Sequence, residues 1–371
     1  MPRNRTRRAT SETAATRTRS RKRFQTSSNE TPSPTLRDVA ERAGVSTATV
    51  SRVLNRRERM RGDVVQRVEA AVHALGYVPH AAARALASRH TRTVGAVVPT
   101  LDNPTFSEGV QGFERALEAA GYTLLIASCD YDSAREMRQV RTLVERGVEA
   151  VMLVGGLHAP GLYEFLQARD IPYVNTWVYD PDARAPNCGF DNVEAARHLT
   201  GYLLDLGHRR LAMIAGRTRD NDRAATRVEG VRRALAERGL ELPEDALLER
   251  PYGLRQGREA MRVLLARDER PTAVIAGNDL LAVGALLEAQ AEGLSVPRDL
   301  SLAGFDDIEL AGTVSPALTT VRVPAGEMCA QAARYLTARL AGEPADAATR
   351  IEVSLIVRET TGPPPARARS E

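Results

Sequence analysis

The sequence predicts an α/β protein with a small all-α head, a hinge helix and a two-lobed core of parallel sheets. Three observations predict it. Residues 35–80 hold three apolar-periodic segments with helix start and stop signals. Residues 81–92 are Ala-rich, favour helix and are too short to be stable alone. From Thr93 to about Gly362, short apolar runs alternate with amphipathic stretches, the pattern of parallel strands covered by helices on both faces. That stretch is long enough for two lobes, and residues 363–371 form a second expected disordered tail.

Residues 1–34 are polar, end in Thr-Pro-Ser-Pro and read as disordered. Within the first 23 residues, nine Lys/Arg stand against the single acid Glu12, which suits a solvated tail or non-specific attraction to nucleic-acid phosphates. Thr35-Leu36-Arg37-Asp38 then opens a helix like a capping box, with Leu36, Val39, Ala40 and Ala43 at helical spacing. Gly44 ends it, because glycine tolerates the left-handed position past a helix end. Ser46 caps a second helix whose inner face is Val50, Val53 and Leu54. A third carries Val64, Val65, Val68, Ala71, Val72 and Leu75 inward and closes at Gly76.

In the core, strands are expected at 94–98, 124–127, 150–154, 173–175, 210–214, 273–276 and 301–304. Helices are expected at 106–120, 135–146, 162–169, 193–206, 224–238, 257–267, 280–292 and 325–340. Open parallel sheets bind ligands beyond the carboxyl ends of their strands. That directs attention to residues 99–106, 129–132, 155–158, 176–179, 216–227, 277–279 and 305–307.

Composition excludes several classes. No apolar run approaches the roughly 20 residues of a membrane span, and the Arg-rich start has no secretory h-region. Cys129, Cys188 and Cys329 are odd in number and far apart, which fits a reducing cytoplasm and no metal site. Gly155-Gly156 lacks the Gly-Lys-Ser/Thr of a phosphate loop, no GxGxxG follows a strand, and no nucleophile sits in a recognisable motif. No catalytic activity, cofactor, metal or membrane partner is expected. The histidines show no metal spacing, and His208 reads as structural.

The segment Thr35–Tyr77, with Asp38-Val39-Ala40, Ala43-Gly44-Val45-Ser46, Thr49-Val50-Ser51-Arg52-Val53 and Asn55, resembles the DNA-binding head of the LacI/GalR family of bacterial regulators. A capped helix, a Gly turn and a second capped helix also make a helix-turn-helix on physical grounds, with its second helix suited to the major groove. The resemblance implies base reading by Thr47, Ala48 and Arg52. Arg52 can donate twice to guanine, and Ser51 shares that outward face. Thr35, Ser46 and Asn55 suit caps and phosphate contacts. One departure is that Arg61-Gly62-Asp63 opens the third helix where the family pattern has a Ser cap. In the hinge, Ala83 stands at the small packing position and Leu86 at the position of a leucine wedge for the minor groove; an ordinary linker is the alternative.

The resemblance runs through Leu206-Gly207-His208-Arg209, Arg227-Val228-Glu229-Gly230, Asn278–Gly284, Leu302–Asp307 and Pro316–Val321 to about Gly362. It implies a core like the periplasmic sugar-binding proteins, two lobes crossed three times by the chain. The crossings are expected near Gly207, near Thr320–Pro324 and near residues 345–350. It further implies effector contacts from Phe106, Asp191, Arg227, Asn278 and Asp306, with Trp177 and Tyr252 as aromatic walls. Asp306 read alone could be a helix cap and Trp177 plain core. Gly189–Arg197 is similar to gluconate repressors, and Arg219, Arg223 and Arg227 look crowded at one pocket edge, which favours a sugar acid. The expectation is a cytoplasmic, homodimeric repressor of a pseudo-palindromic double-stranded operator, controlled by a sugar or sugar acid such as gluconate. A solute-binding or sugar-metabolising protein on the same core, or a regulator with a purine-like effector, is the alternative.

Overall fold

The computed structural model describes residues 34–55, 60–78 and 90–365, which fall into two compact units. The expectations for Ala83, Leu86 and most of the hinge lie outside the described residues.

The first unit is three helices, α1 (Leu36–Ala43), α2 (Thr47–Asn55) and α3 (Gly62–Leu75). Thr35 and Asp38 close the predicted capping box, Asp38 Oδ2 accepting from the Thr35 amide at 2.7 Å. Gly44 and Gly76 take the left-handed conformation at the ends of α1 and α3. Val39, Val50 and Val68, fully buried, form the centre of the small core. Arg67 of α3 donates to the carbonyls of Ala43 and Gly44, both at 3.0 Å. It thereby satisfies carbonyls that a helix end leaves without partners. At the start of α3, where Arg61 stands in place of the family's Ser, no side chain caps the helix.

The second unit contains two six-stranded sheets. In chain order the elements are β1 (Thr93–Val98), α4 (Pro104–Ala119), β2 (Thr123–Ser128), α5 (Ser133–Glu145), β3 (Ala150–Val154), α6 (Leu162–Gln167), β4 (Tyr173–Thr176) and β5 (Asn187–Gly189). Then come α7 (Asn192–Asp205), β6 (Leu211–Gly216), α8 (Asp222–Ala236), β7 (Leu247–Arg250), α9 (Leu254–Leu265), β8 (Ala273–Ala276), α10 (Asp279–Ala291), β9 (Ser301–Asp306), α11 (Glu309–Thr313) and β10 (Thr319–Arg322). The last three are α12 (Ala325–Ala341), β11 (Ala348–Arg350) and β12 (Ser354–Ile356). Lobe 1 has strand order β11-β5-β4-β3-β1-β2 and lobe 2 has β12-β10-β9-β8-β6-β7. All pairs are parallel except β10 with β12.

The central strands β3, β6, β8 and β9 are buried along their whole length, as unbroken apolar runs require when helices cover both faces. Glycines set how closely the covering helices approach. A Cβ at Gly112 of α4 would lie 2.1 Å from the Gly326 carbonyl oxygen of α12, so the two backbones touch there.

The chain crosses between lobes three times, but the first crossing is not near Gly207. Helix α7 packs on α8, β10 and β12 of lobe 2, so the crossing precedes it, at Phe190–Asp191. An amphipathic pattern marks the buried face of a helix and not the sheet that face meets. The second crossing, at Val323–Pro324, falls within the expected stretch. The third follows β11, at Ile351–Val353, just past the expected residues.

Candidate functional site

In the head, Ser46 Oγ accepts from the Thr49 amide at 3.1 Å and caps α2. Val50 and Val53 turn inward, leaving Thr47, Ala48 and Arg52 exposed along one face, with Ser51 half-buried beside them. Thr35 is exposed at the start of α1. The arrangement presents a helix face with an unburied guanidinium and small neighbours, a shape a groove can accept.

In the second unit, strand ends and helix starts from both lobes meet at one cavity. Lobe 1 supplies Asn103, Thr105, Phe106, Tyr131 and Trp177. Lobe 2 supplies Asn221, Arg223, Arg227, Tyr252, Asn278 and Asp306. Six of the seven expected effector residues are therefore brought together: Phe106, Trp177, Arg227, Tyr252, Asn278 and Asp306. Asp191 is not among them. It is exposed, caps α7 through its bond to the Glu194 amide, and lines a separate recess of about 680 Å³. Its neighbour Asn192 faces inward instead, because the crossing chain turns into α7 at this point. The three arginines do not crowd one edge either. Arg219 precedes α8 and is almost fully exposed, while Arg223 is held by Asp222 Oδ1 at 2.8 Å and the Val154 carbonyl at 3.1 Å.

Arg227 is fixed on three sides. Its Nε donates to Asn192 Oδ1 at 2.9 Å, one Nη donates to the Gly277 carbonyl at 2.7 Å, and the guanidinium lies 3.7 Å from the Phe305 ring centroid. The other Nη points at Asp306 from 3.8 Å, beyond hydrogen-bond distance. Asp306 has φ +112°, a rare conformation outside glycine that aims its carboxylate into the cleft. Burial raises that carboxyl to about 7, and the Arg227 charge opposes the rise. Asn192 also donates to the Trp177 carbonyl at 2.9 Å, tying the lobes together behind the cavity. Phe106 meets Trp177 edge-on at 5.0 Å, forming an aromatic wall.

Three asparagines cap the helices that point at this cavity: Asn103 on α4, Asn221 on α8 and Asn278 on α10. Their helix N-termini favour electron-rich groups there. Asn278 uses its oxygen to accept from the Leu281 amide at 2.9 Å and leaves its Nδ2 facing the cavity. Four buried polar side-chain atoms among the described residues lack a partner: Thr105 Oγ1, Tyr131 OH, Trp177 Nε1 and Asn278 Nδ2. All four belong to residues that line this one cavity. Each costs about 1–3 kcal/mol when left unsatisfied, so their concentration in one place calls for a function. The space between them is about 20 Å³, room for roughly one water, so the lobes stand closed and must part to admit anything larger.

The reading of the residues missed Thr105, Tyr131, Asn103, Asn221 and Asn192, although the first four stand at strand ends it had singled out. It also missed a buried network beside the cleft. His158 Nδ1 meets both carboxylate oxygens of Glu136 at 2.9–3.0 Å, and its Nε2 meets the Gly155 carbonyl at 3.1 Å. His208 is fully buried and bonds Thr272, Ser301 and the Gly362 carbonyl, a structural pin in lobe 2.

Residues 35–80 match the family described as bacterial regulatory proteins, lacI family, and residues 200–361 match a periplasmic binding protein-like domain. The ribose operon repressor of Escherichia coli strain K12 is 36% identical over 332 residues, 88% of this chain and 98% of that one. Catabolite control protein A of Priestia megaterium is 33% identical over 312 residues, 84% of this chain and 94% of that one. The lac repressor dimer bound to operator and the anti-inducer ONPF superposes with a TM-score of 0.81 at 25% identity, covering 89% of this chain and 100% of that one.

Proposed function

Because the chain belongs to the lacI family of bacterial regulatory proteins, DNA-binding transcriptional repressors with a ligand-binding core, we propose that it is a cytoplasmic, non-catalytic repressor whose grip on a pseudo-palindromic operator is set by a sugar or sugar acid in its interlobe cavity. The division of labour is a reader over residues 35–80, a hinge over 81–92 and an effector core over 93–362.

In the reader, Thr47, Ala48 and Arg52 meet base edges, with Ser51 on the same face, while Thr35, Ser46 and Asn55 position the backbone. One head contacts too few base pairs for genomic selectivity, so two act together as a homodimer. Ala83 and Leu86 act in the minor groove.

The single observation that carries the effector reading is the convergence of the four unpartnered buried polar atoms on one cavity. Two of them, Trp177 Nε1 and Asn278 Nδ2, are obligate donors, Thr105 and Tyr131 both donate and accept, and Phe106 offers an apolar face. A ligand rich in hydroxyls satisfies such a set. The three helix N-termini and the Arg227 guanidinium favour one that also carries a carboxylate, such as the open-chain gluconate.

A thermal-shift panel of sugars, sugar acids and nucleobases tests this, since a ligand of the folded state raises the melting temperature. The expected hit also changes Trp177 emission and operator affinity; hits confined to purines would overturn the sugar reading. Arg52→Ala should cost specific operator binding roughly 1–3 kcal/mol per half-site while sparing most non-specific affinity. Equal loss of both would make Arg52 a phosphate contact.

A further inference from the structure

The inner cavity adjoins a second chamber of about 500 Å³ between the lobes. Asn103, Tyr131, Asn221 and Tyr252 line both. Among these shared residues is a pair of tyrosines from opposite lobes, Tyr131 and Tyr252, with ring centroids 5.9 Å apart and planes tilted by 46°. Tyr131 keeps its hydroxyl buried and unpartnered.

The backbone marks both chambers as one built site. Eight non-glycine residues have positive φ among the described residues, and five of them line these two chambers: Asp130, Tyr131, Trp177, Asp220 and Asp306. Strained conformations persist where the surrounding structure holds them, and they gather where a ligand is held.

The chemistry of the outer chamber differs from that of the inner one. Lobe 1 lines it with Asp102, Asp130 and Asp132, and lobe 2 with Arg217, Arg219 and Asp220. A phosphate or a second carboxylate there would meet four acids against two arginines. A neutral ring carrying several hydroxyls finds acceptors on one side, donors on the other and tyrosine faces for its C–H surface.

We propose that the effector is a two-unit saccharide, with its inner unit on the buried polar atoms and a second, uncharged sugar ring beyond the Tyr131–Tyr252 pair. This rests on the sugar reading of the inner cavity and extends it.

The test is a titration of the full chain, followed by Trp177 emission and by melting temperature. The probes are the one-unit gluconate against the two-unit cellobionate and maltobionate, and glucose against cellobiose and maltose. At least one two-unit member is expected to bind tenfold or more tightly than its one-unit partner. Arg217→Ala, which touches only the outer chamber, should shrink that advantage to threefold or less while leaving one-unit affinity unchanged. If one-unit ligands bind and two-unit ligands bind no better, or are excluded, the outer chamber is only an entrance and this inference falls while the sugar reading stands. If no probe of either size binds, the sugar reading itself falls and takes the inference with it. An undiminished advantage in Arg217→Ala would also overturn the assignment of the second ring to this chamber.

Discussion

Removing the Asp222 carboxylate should release the two lobes from each other. Asp222 opens α8 in lobe 2, and its Oδ2 accepts from the Gly156 amide, just past β3 of lobe 1, at 2.6 Å. Its Oδ1 holds Arg223 at 2.8 Å, and the same Arg223 nitrogen donates to the Val154 carbonyl at 3.1 Å. The fit is close: Gly155 has φ +91°, and a Cβ there would lie 2.0 Å from the Arg223 Nη1. Hydrogen bonds to charged groups contribute about 1.5–3 kcal/mol each. Asp222→Ala removes one such bond between the lobes, since its other partner, Arg223, stands beside it in lobe 2; its side chain is 23% exposed, so water replaces part of the loss on opening. A net of about 1–2 kcal/mol against the closed state follows, roughly 5- to 30-fold in the opening constant. Asp222 does not line the inner cavity, so contacts to an effector there are untouched. Hydrogen exchange at the Gly156 amide should accelerate by that factor, and small-angle scattering should show a larger core. Unchanged protection at Gly156 in a folded variant would refute the clasp.

Three further outcomes are expected. Burial places the Asp306 carboxyl at about 7, and its ionised form accepts from ligand hydroxyls more strongly than the acid does, so effector affinity should fall as pH drops from 8 to 6; Asp306→Asn should bind more weakly at high pH and lose that dependence. Burial also holds the His208 imidazole below its ordinary value, and the unfolded chain takes up that proton near pH 6.5. Stability is thus complete above that pH and lost as pH falls below it, so the melting temperature should decline between pH 7 and 5.5 and a His208→Gln variant should show a shallower decline. Gly112→Ala should destabilise lobe 1 by about 1–3 kcal/mol or more, because the new methyl meets the Gly326 backbone. Gly62→Ala, with nothing within 4 Å, should be neutral or stabilising in the same chemical melts.

The parts of this molecule that could be read from residues alone are those whose signal is local. Caps at Thr35 and Ser46, stops at Gly44 and Gly76, and the long buried strands announce themselves within a few positions. The short strands β5, β7, β10, β11 and β12 do not: each is three or four residues, and β7, β11 and β12 lie at sheet edges where apolar patterning is weak. Asp191 shows the limit for the site. The chemistry expected of it was reasonable, but whether a residue beside a crossing faces the cleft depends on where the chain changes lobes. One residue further on, Asn192 makes the contacts to Arg227 and Trp177. The His158–Glu136 pair is 22 residues apart in sequence and carries no spacing signal.

Because the chain leaves lobe 1 at Phe190 and returns only at α12 and β11, that lobe is assembled from two separate stretches of the message. The ribosome makes β1 to β5 first and then about 160 more residues before Arg350 supplies the edge strand beside β5. At ordinary translation speeds that is roughly 8–30 s, during which α4 has no α12 to lie against and Gly112 faces water. Lobe 2, written almost continuously from α7 to β10, can fold in that interval and stand beside an unfinished neighbour. Nascent chains stalled before residue 325 should therefore engage chaperones through the uncovered face of α4, and release should follow the synthesis of α12.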